Sequence, residues 1–204
     1  TFTATNWNQA RTITVKGVDD VETDGNVAYF VAVNVSSSLD TKYAALSELR
    51  IGASNVDNDP ARFVVSPAVG LATSEAGGQA TFLVRLSSKP TAGVTLNLAS
   101  NTPVEGTLAP AALTFLSTNW DVPQPVVVTG VDDDKADGNV QYTVVLSPGV
   151  STDSNYNGLD APDITVVNID NDVPNILMTP GPNMFTSESG GAATFTLALS
   201  KAPA

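Results

Sequence analysis

The chain repeats itself at an offset of 113 residues, and it holds that offset without a gap. "TNWN" begins at Thr5 and "TNWD" at Thr118, while "GVDD" begins at Gly17 and again at Gly130. "DGNV" recurs at Asp24 and Asp137, "DND" at Asp57 and Asp170, and "SEAGG" at Ser74 is answered by "SESGG" at Ser187. The 204 residues therefore divide into the last part of one repeat (1–59), one whole repeat (60–172) and the opening of a third (173–204). Pro60 and Pro174 stand beside the two "DND" stretches, where a proline stiffens a junction. No signal peptide or initiating Met opens the chain, so it reads as a piece of something longer.

Inside the whole repeat, short segments of alternating apolar and polar side chains are separated by Gly, Pro, Asn and Ser clusters. That pattern predicts an all-β sandwich of antiparallel, Ig-like type. Seven strands are expected, at 62–66, 79–87, 93–99, 111–117, 125–130, 139–147 and 163–169. Ala80, Phe82, Val84 and Leu86 point inward from the second, and Val140, Tyr142, Val144 and Leu146 from the sixth. No segment carries a convincing helical period, and no apolar run approaches the roughly 20 residues of a membrane helix.

If successive strands alternate in direction, the connections after strands 1, 3, 5 and 7 share one end of the sandwich. Those places hold Glu75, Glu105, the run Asp132, Asp133, Asp134 and Asp137, and the pair Asp170 and Asp172. So much negative charge in one place repels itself, by about 4 kcal/mol for two unit charges about 4 Å apart at an effective dielectric near 20. A divalent cation removes that cost. The chain has neither cysteine nor histidine, which leaves carboxylates and carbonyls as ligands and favours Ca²⁺ over zinc or a redox metal. The same absence removes thiol nucleophiles and the commonest general base. A net charge of −12 would repel phosphate backbones, so nucleic acid is not an expected partner.

The run "LTF … VVVTGVDDDKADGNVQYTVVLS … ITVVNIDND", with "SEAGG" upstream, resembles a Calx-β domain over the whole of residues 60–172. The resemblance implies a calcium-binding sandwich, of the kind found in sodium–calcium exchangers and, in tandem, in large bacterial surface proteins and adhesins. It implies metal ligands at Glu75, at Glu105 (where the family usually has Asp), at Asp132, Asp133 and Asp137, at the carbonyl of Lys135, and at Asp170 and Asp172. In the first piece, Asp19, Asp20, Asp24, Asp57 and Asp59 fall at matching places, without the upstream acids. Val140 stands where the exchanger domain has a further glutamate, so one or two ions per tip are expected.

"DSNYNGLD" (153–160) imitates the start of an EF-hand loop, but Ile164 stands where the bidentate glutamate belongs, and a turn is expected. Trp7 and Trp120 are expected to pack against the bottom of their sandwiches. Paired carboxylates also hydrolyse glycosides, but such acids sit in a cleft rather than on turns that recur with a repeat. The expectation is a non-enzymatic, calcium-binding module of a long extracellular or cell-surface protein, with neighbouring repeats as its partners and no membrane insertion. The alternative is a structural filament subunit, in which the partial end repeats of different chains complete each other head-to-tail by strand addition.

Overall fold

The computed structural model describes residues 1–182 and 184–202, so the third sequence piece, 173–204, falls partly outside it. The chain forms two compact units, Thr1–Pro60 and Ala61–Ala204.

In the first unit, β1 (Val27–Val33) and β2 (Leu49–Asn55) form an antiparallel pair, joined through the single helical turn α1 (Thr41–Ala44). Asp40 caps that turn by accepting the Lys42 N–H. The sequence leads one to expect four strands from this piece, but two form. Residues 11–17 carry a strand pattern yet pair with no other strand in the described structure.

The second unit holds a two-layer β-sandwich. Its strands are β3 (Phe63–Ser66), β4 (Leu71–Ser74), β5 (Gln79–Leu86), β6 (Val94–Ser100), β7 (Gly106–Ala109), β8 (Ala112–Phe115), β9 (Gln124–Gly130), β10 (Val140–Leu146) and β11 (Ile164–Ile169). One sheet has the order β3-β5-β9-β7 and the other β4-β11-β10-β6-β8. A hairpin, β12 (Ile176–Pro180) with β13 (Phe195–Leu199), completes the unit.

Residues 60–172 thus hold nine strands where seven were expected, and the two additions have one cause. Pro67 directly follows the first expected strand and Pro110 directly precedes the fourth; proline cannot donate to a ladder, so the chain breaks at each, and the added strands β4 and β7 lie on the far side of the break. On either side of each break the chain pairs with a different sheet: β3 with β5 but β4 with β11, and β7 with β9 but β8 with β6. Neither break reverses the chain. β3 and β4 both run toward the start of β5, and β7 and β8 both run away from it, so the expected alternation of ends survives.

The core between the sheets contains Phe82, Val84, Leu86, Val94, Leu96, Phe115, Val126, Val128, Val144, Ile164 and Val166, all fully buried. Of the inward positions expected on β5 and β10, Ala80 and Val140 are only half-buried, because each lies at the tip end of its strand. Burying each large apolar side chain contributes about 1.5–3 kcal/mol. Tyr156 closes the far end, edge-on to Phe63, with its hydroxyl donating to the Ser88 carbonyl at 2.7 Å. Trp120 packs against the core, whereas Trp7 is 68% exposed. Among the described residues no helix is long and apolar enough to cross a membrane.

The 113-residue offset reappears in the pairings. Phe63 faces Leu86 in β3–β5, and Ile176 faces Leu199 in β12–β13. Val140 faces Asn168 in β10–β11, and Val27 faces Asn55 in β1–β2. What differs is cover. Phe82, Val84 and Leu86 are fully buried, while their counterparts Phe195, Leu197 and Leu199 are more than half exposed.

Candidate metal centre

β4, β9 and β11 all end at one tip of the sandwich, and β7 and β10 begin there. This brings together the acids that the sequence scatters over nearly 100 positions. Their oxygens form two groups, Glu75 with Asp170 and Asp172, and Glu105 with Asp133 and Asp137. Within each group the three carboxylates offer oxygens that all lie within 4.8 Å of one another.

Short local hydrogen bonds set these positions. Asp133 Oδ1 accepts the Lys135 N–H at 2.7 Å, and Asp170 Oδ1 accepts the Asp172 N–H at 2.6 Å, each folding its loop back on itself. Gly138, at φ +80°, aims its N–H at Asp170 Oδ2 (2.7 Å), while Asn139 Oδ1 accepts the Asp170 N–H (3.1 Å). Only glycine adopts that φ readily. "DGN" and "DND" are thus two halves of one clamp, which explains why they recur together. The first unit repeats it: Gly25 N–H to Asp57 Oδ2, Asp57 N–H to Asn26 Oδ1, and Asp59 N–H to Asp57 Oδ1, all at 2.8–2.9 Å.

The electrostatics are those of crowded anions. Glu75 is 4% exposed, and burial pushes its carboxyl above the ordinary range; the charges of Asp170, Asp133 and Asp172 push the same way, against a 3.1 Å hydrogen bond from the Asn171 N–H. The Lys135 N–H holds Asp133 below its usual value. Asp172 is nearly buried, and its Oδ2 has no hydrogen-bond partner among the described residues. Its Oδ1 receives the Lys201 ammonium at 2.5 Å, which also reaches Asp134 Oδ1 at 3.2 Å. Lys201 follows β13, and the Ala202 N–H donates to the Asp134 carbonyl beside it. The hairpin is thereby tied to the acidic tip.

Not every expected ligand joins a group. Asp132 is exposed and accepts from Asn171 Nδ2 at 3.0 Å. Lys135, expected to contribute its carbonyl, directs both its N–H and its ammonium at Asp133. In the first unit Asp20, Asp24, Asp57 and Asp59 line one small cavity, outside which Asp19 lies; Asp19 is close enough, with burial as the larger cause, to help raise the Asp59 carboxyl. No metal-sized triad forms there among the described residues. In the "DSNYNGLD" stretch, Asp153 is buried and accepts the N–H groups of Thr91 (2.8 Å) and Asn155 (2.9 Å), as a turn at the opposite end. The residues missed from sequence are the supporting amides Asn139, Asn168 and Asn171. Their signal was recurrence at the repeat offset, which attention to charge passed over.

No family model matches the chain, and no curated protein matches it. Among solved structures it is similar to CBD12 from CALX1.2 at 12% identity and a TM-score of 0.42, covering 67% of this chain and 70% of that one. It is also similar to the apo form of the Calx CBD1 domain at 18% identity and a TM-score of 0.40, covering 56% and 100%. A third likeness, at 12% identity and a TM-score of 0.37, is to WR4, an MSP family member of C. elegans, covering 53% and 96%. At this level of similarity these likenesses add nothing to the reading of the site.

Proposed function

We propose that the tip binds Ca²⁺, and that the chain is a non-enzymatic module of a long extracellular or cell-surface repeat protein. The observation that carries this reading is the pair of oxygen-only carboxylate triads, one of them containing the orphaned, buried Asp172 Oδ2. A buried acceptor without a donor is costly, and a cation satisfies it. Bound there, Ca²⁺ supplies two positive charges and takes 6 to 8 oxygen ligands, as is general for this ion. Glu75, Asp170 and Asp172 would hold one ion, and Glu105, Asp133 and Asp137 a second.

The purpose is mechanical. Asp172 ends the sandwich and begins the connection to the next hairpin, so an ion there ties that connection to the turn after β4 that carries Glu75. Calorimetric titration with Ca²⁺ and with Mg²⁺, on the wild type and on Asp132→Ala/Asp133→Ala, tests the site. The double variant is expected to lose the part of the Ca²⁺ heat that belongs to the Glu105–Asp133–Asp137 ion, and no heat in the wild type overturns the reading. Small-angle scattering of a multi-repeat chain tests the stiffening, which fails if calcium and chelator give the same dimensions.

The exposed apolar rows on β1–β2 and β12–β13 favour a second reading as well. They need covering strands, which come from neighbouring repeats of the same chain in the first reading and from a second copy in a head-to-tail filament. Deleting residues 173–204 abolishes assembly in the filament reading alone.

A further inference from the structure

Beneath the two triads lies one buried amide that the charge pattern does not account for. Asn168 is 1% exposed, on β11, two residues before Asp170. Its Nδ2 donates to the Val131 carbonyl at 3.0 Å and faces Glu105 Oε2 at 3.4 Å. Its Oδ1 accepts the Thr73 hydroxyl at 3.1 Å, and Thr73 lies two residues before Glu75. A single side chain thus touches Glu105 of one triad, the base of the loop carrying Asp133 and Asp137, and the strand that delivers Glu75 to the other triad.

The bond from the amide to the loop carbonyl occurs twice. At the repeat-equivalent position, Asn55 Nδ2 donates to the Val18 carbonyl at 2.8 Å. The glycine before each of these carbonyls makes room for the amide. A Cβ on Gly130 would run into Asn168 Oδ1 and the Ser74 carbonyl, and one on Gly17 would run into Asn55 Oδ1. "GVDD" and "N-x-DND" therefore belong to one device: a glycine that admits the amide, a carbonyl that the amide holds, and the acids that follow each.

We propose that Asn168 is a positioning residue for cation binding at the tip, holding Glu105 and the 131–138 loop in place below the ion. This rests on the cation reading above. Groups that orient ligands without touching the metal typically change affinity by about 10–100-fold when removed. The mechanism is that the ligands must then be ordered at the moment of binding.

The test uses the full chain, with CaCl₂ as the probe. Asn168→Leu keeps the volume and charge but loses the donor, while Tyr142→Phe removes a hydroxyl that bonds Thr73 at 3.2 Å and leaves the amide in place. Calorimetry is expected to show Ca²⁺ affinity falling at least about tenfold in Asn168→Leu, with Tyr142→Phe close to wild type. Equal affinity in Asn168→Leu and wild type overturns the proposal, and so does an equal loss in both variants. If the wild type itself binds no Ca²⁺, the cation reading fails first, which is a separate outcome. Should Asn168→Leu not fold, the side-chain amide resonances of Asn168 in the wild type decide: they are expected to shift along the Ca²⁺ binding curve, and invariant resonances overturn the proposal.

Discussion

Glu75→Gln should stabilise the protein in chelator and blunt its response to calcium. Glu75 shares its triad with Asp170 and Asp172, with oxygens no more than 4.8 Å apart. At an effective dielectric near 20, each ionised pair at that separation repels by about 3.5 kcal/mol. Glutamine removes two of the three repulsions while retaining an acceptor for the Asn171 N–H. The full sum is a ceiling, because burial already pushes Glu75 toward its protonated form and Lys201 offsets Asp172. A gain of about 2 kcal/mol in chelator is expected, which raises Tm by about 4–8 °C for a domain near 150 residues. With calcium at about 100 times its Kd, the wild type gains about 2.7 kcal/mol, and the variant loses most of that gain. Differential scanning calorimetry in EDTA and in CaCl₂ reads both effects. A variant that is less stable than wild type in EDTA would refute the repulsion argument. One that keeps the whole calcium response would remove Glu75 from the ligand set.

The pH dependence should differ between the two states. Because the folded protein raises the Glu75 carboxyl, its contribution to apo stability is complete below the unfolded pKa near 4.3 and is lost as pH rises through the folded value. Stability in chelator should therefore decline on raising the pH above about 4.3, while calcium stabilisation should grow over the same range; urea melts across pH 4–8 in each buffer test this. Lys201→Met should raise calcium affinity several-fold, because it removes a cation already seated on Asp172; unchanged affinity in calorimetry would show that the ammonium does not compete. At the opposite end, burial pushes Asp153 up, but the Thr91 and Asn155 N–H groups outweigh it and leave the carboxyl lowered. Its contribution is thus present above the unfolded pKa near 3.9 and lost as pH falls through the folded value. Asp153→Ala should cost about 1–3 kcal/mol at pH 7 by stranding those donors, with the difference from wild type shrinking in acid.

Much of the sandwich was legible because strand periodicity is local: alternate residues of a pleated strand face opposite sides wherever the strand ends up. Tyr142, Val144 and Leu146 follow that rule, and so do Phe82, Val84 and Leu86. The sheet changes at Pro67 and Pro110 were not legible, since a break in a ladder says nothing about which neighbour comes next. The acids were visible as charge. The amides that hold them were not, because Asn139, Asn168 and Asn171 look like ordinary turn residues until their partners, distant in sequence, are known.

The sequence alone therefore determined the repeat, the alternating strands and the gathering of carboxylates at one end, all of which follow from spacing and strand parity. Only the tertiary structure decided that six of those acids form two separate triads, that Asp132 stays outside them, and that Asp172 is left with one oxygen on Lys201 and the other unpaired. The physical reason is range. Periodicity is written in neighbouring residues, whereas the pairing and desolvation of a charge depend on groups brought within a few ångströms by the whole fold.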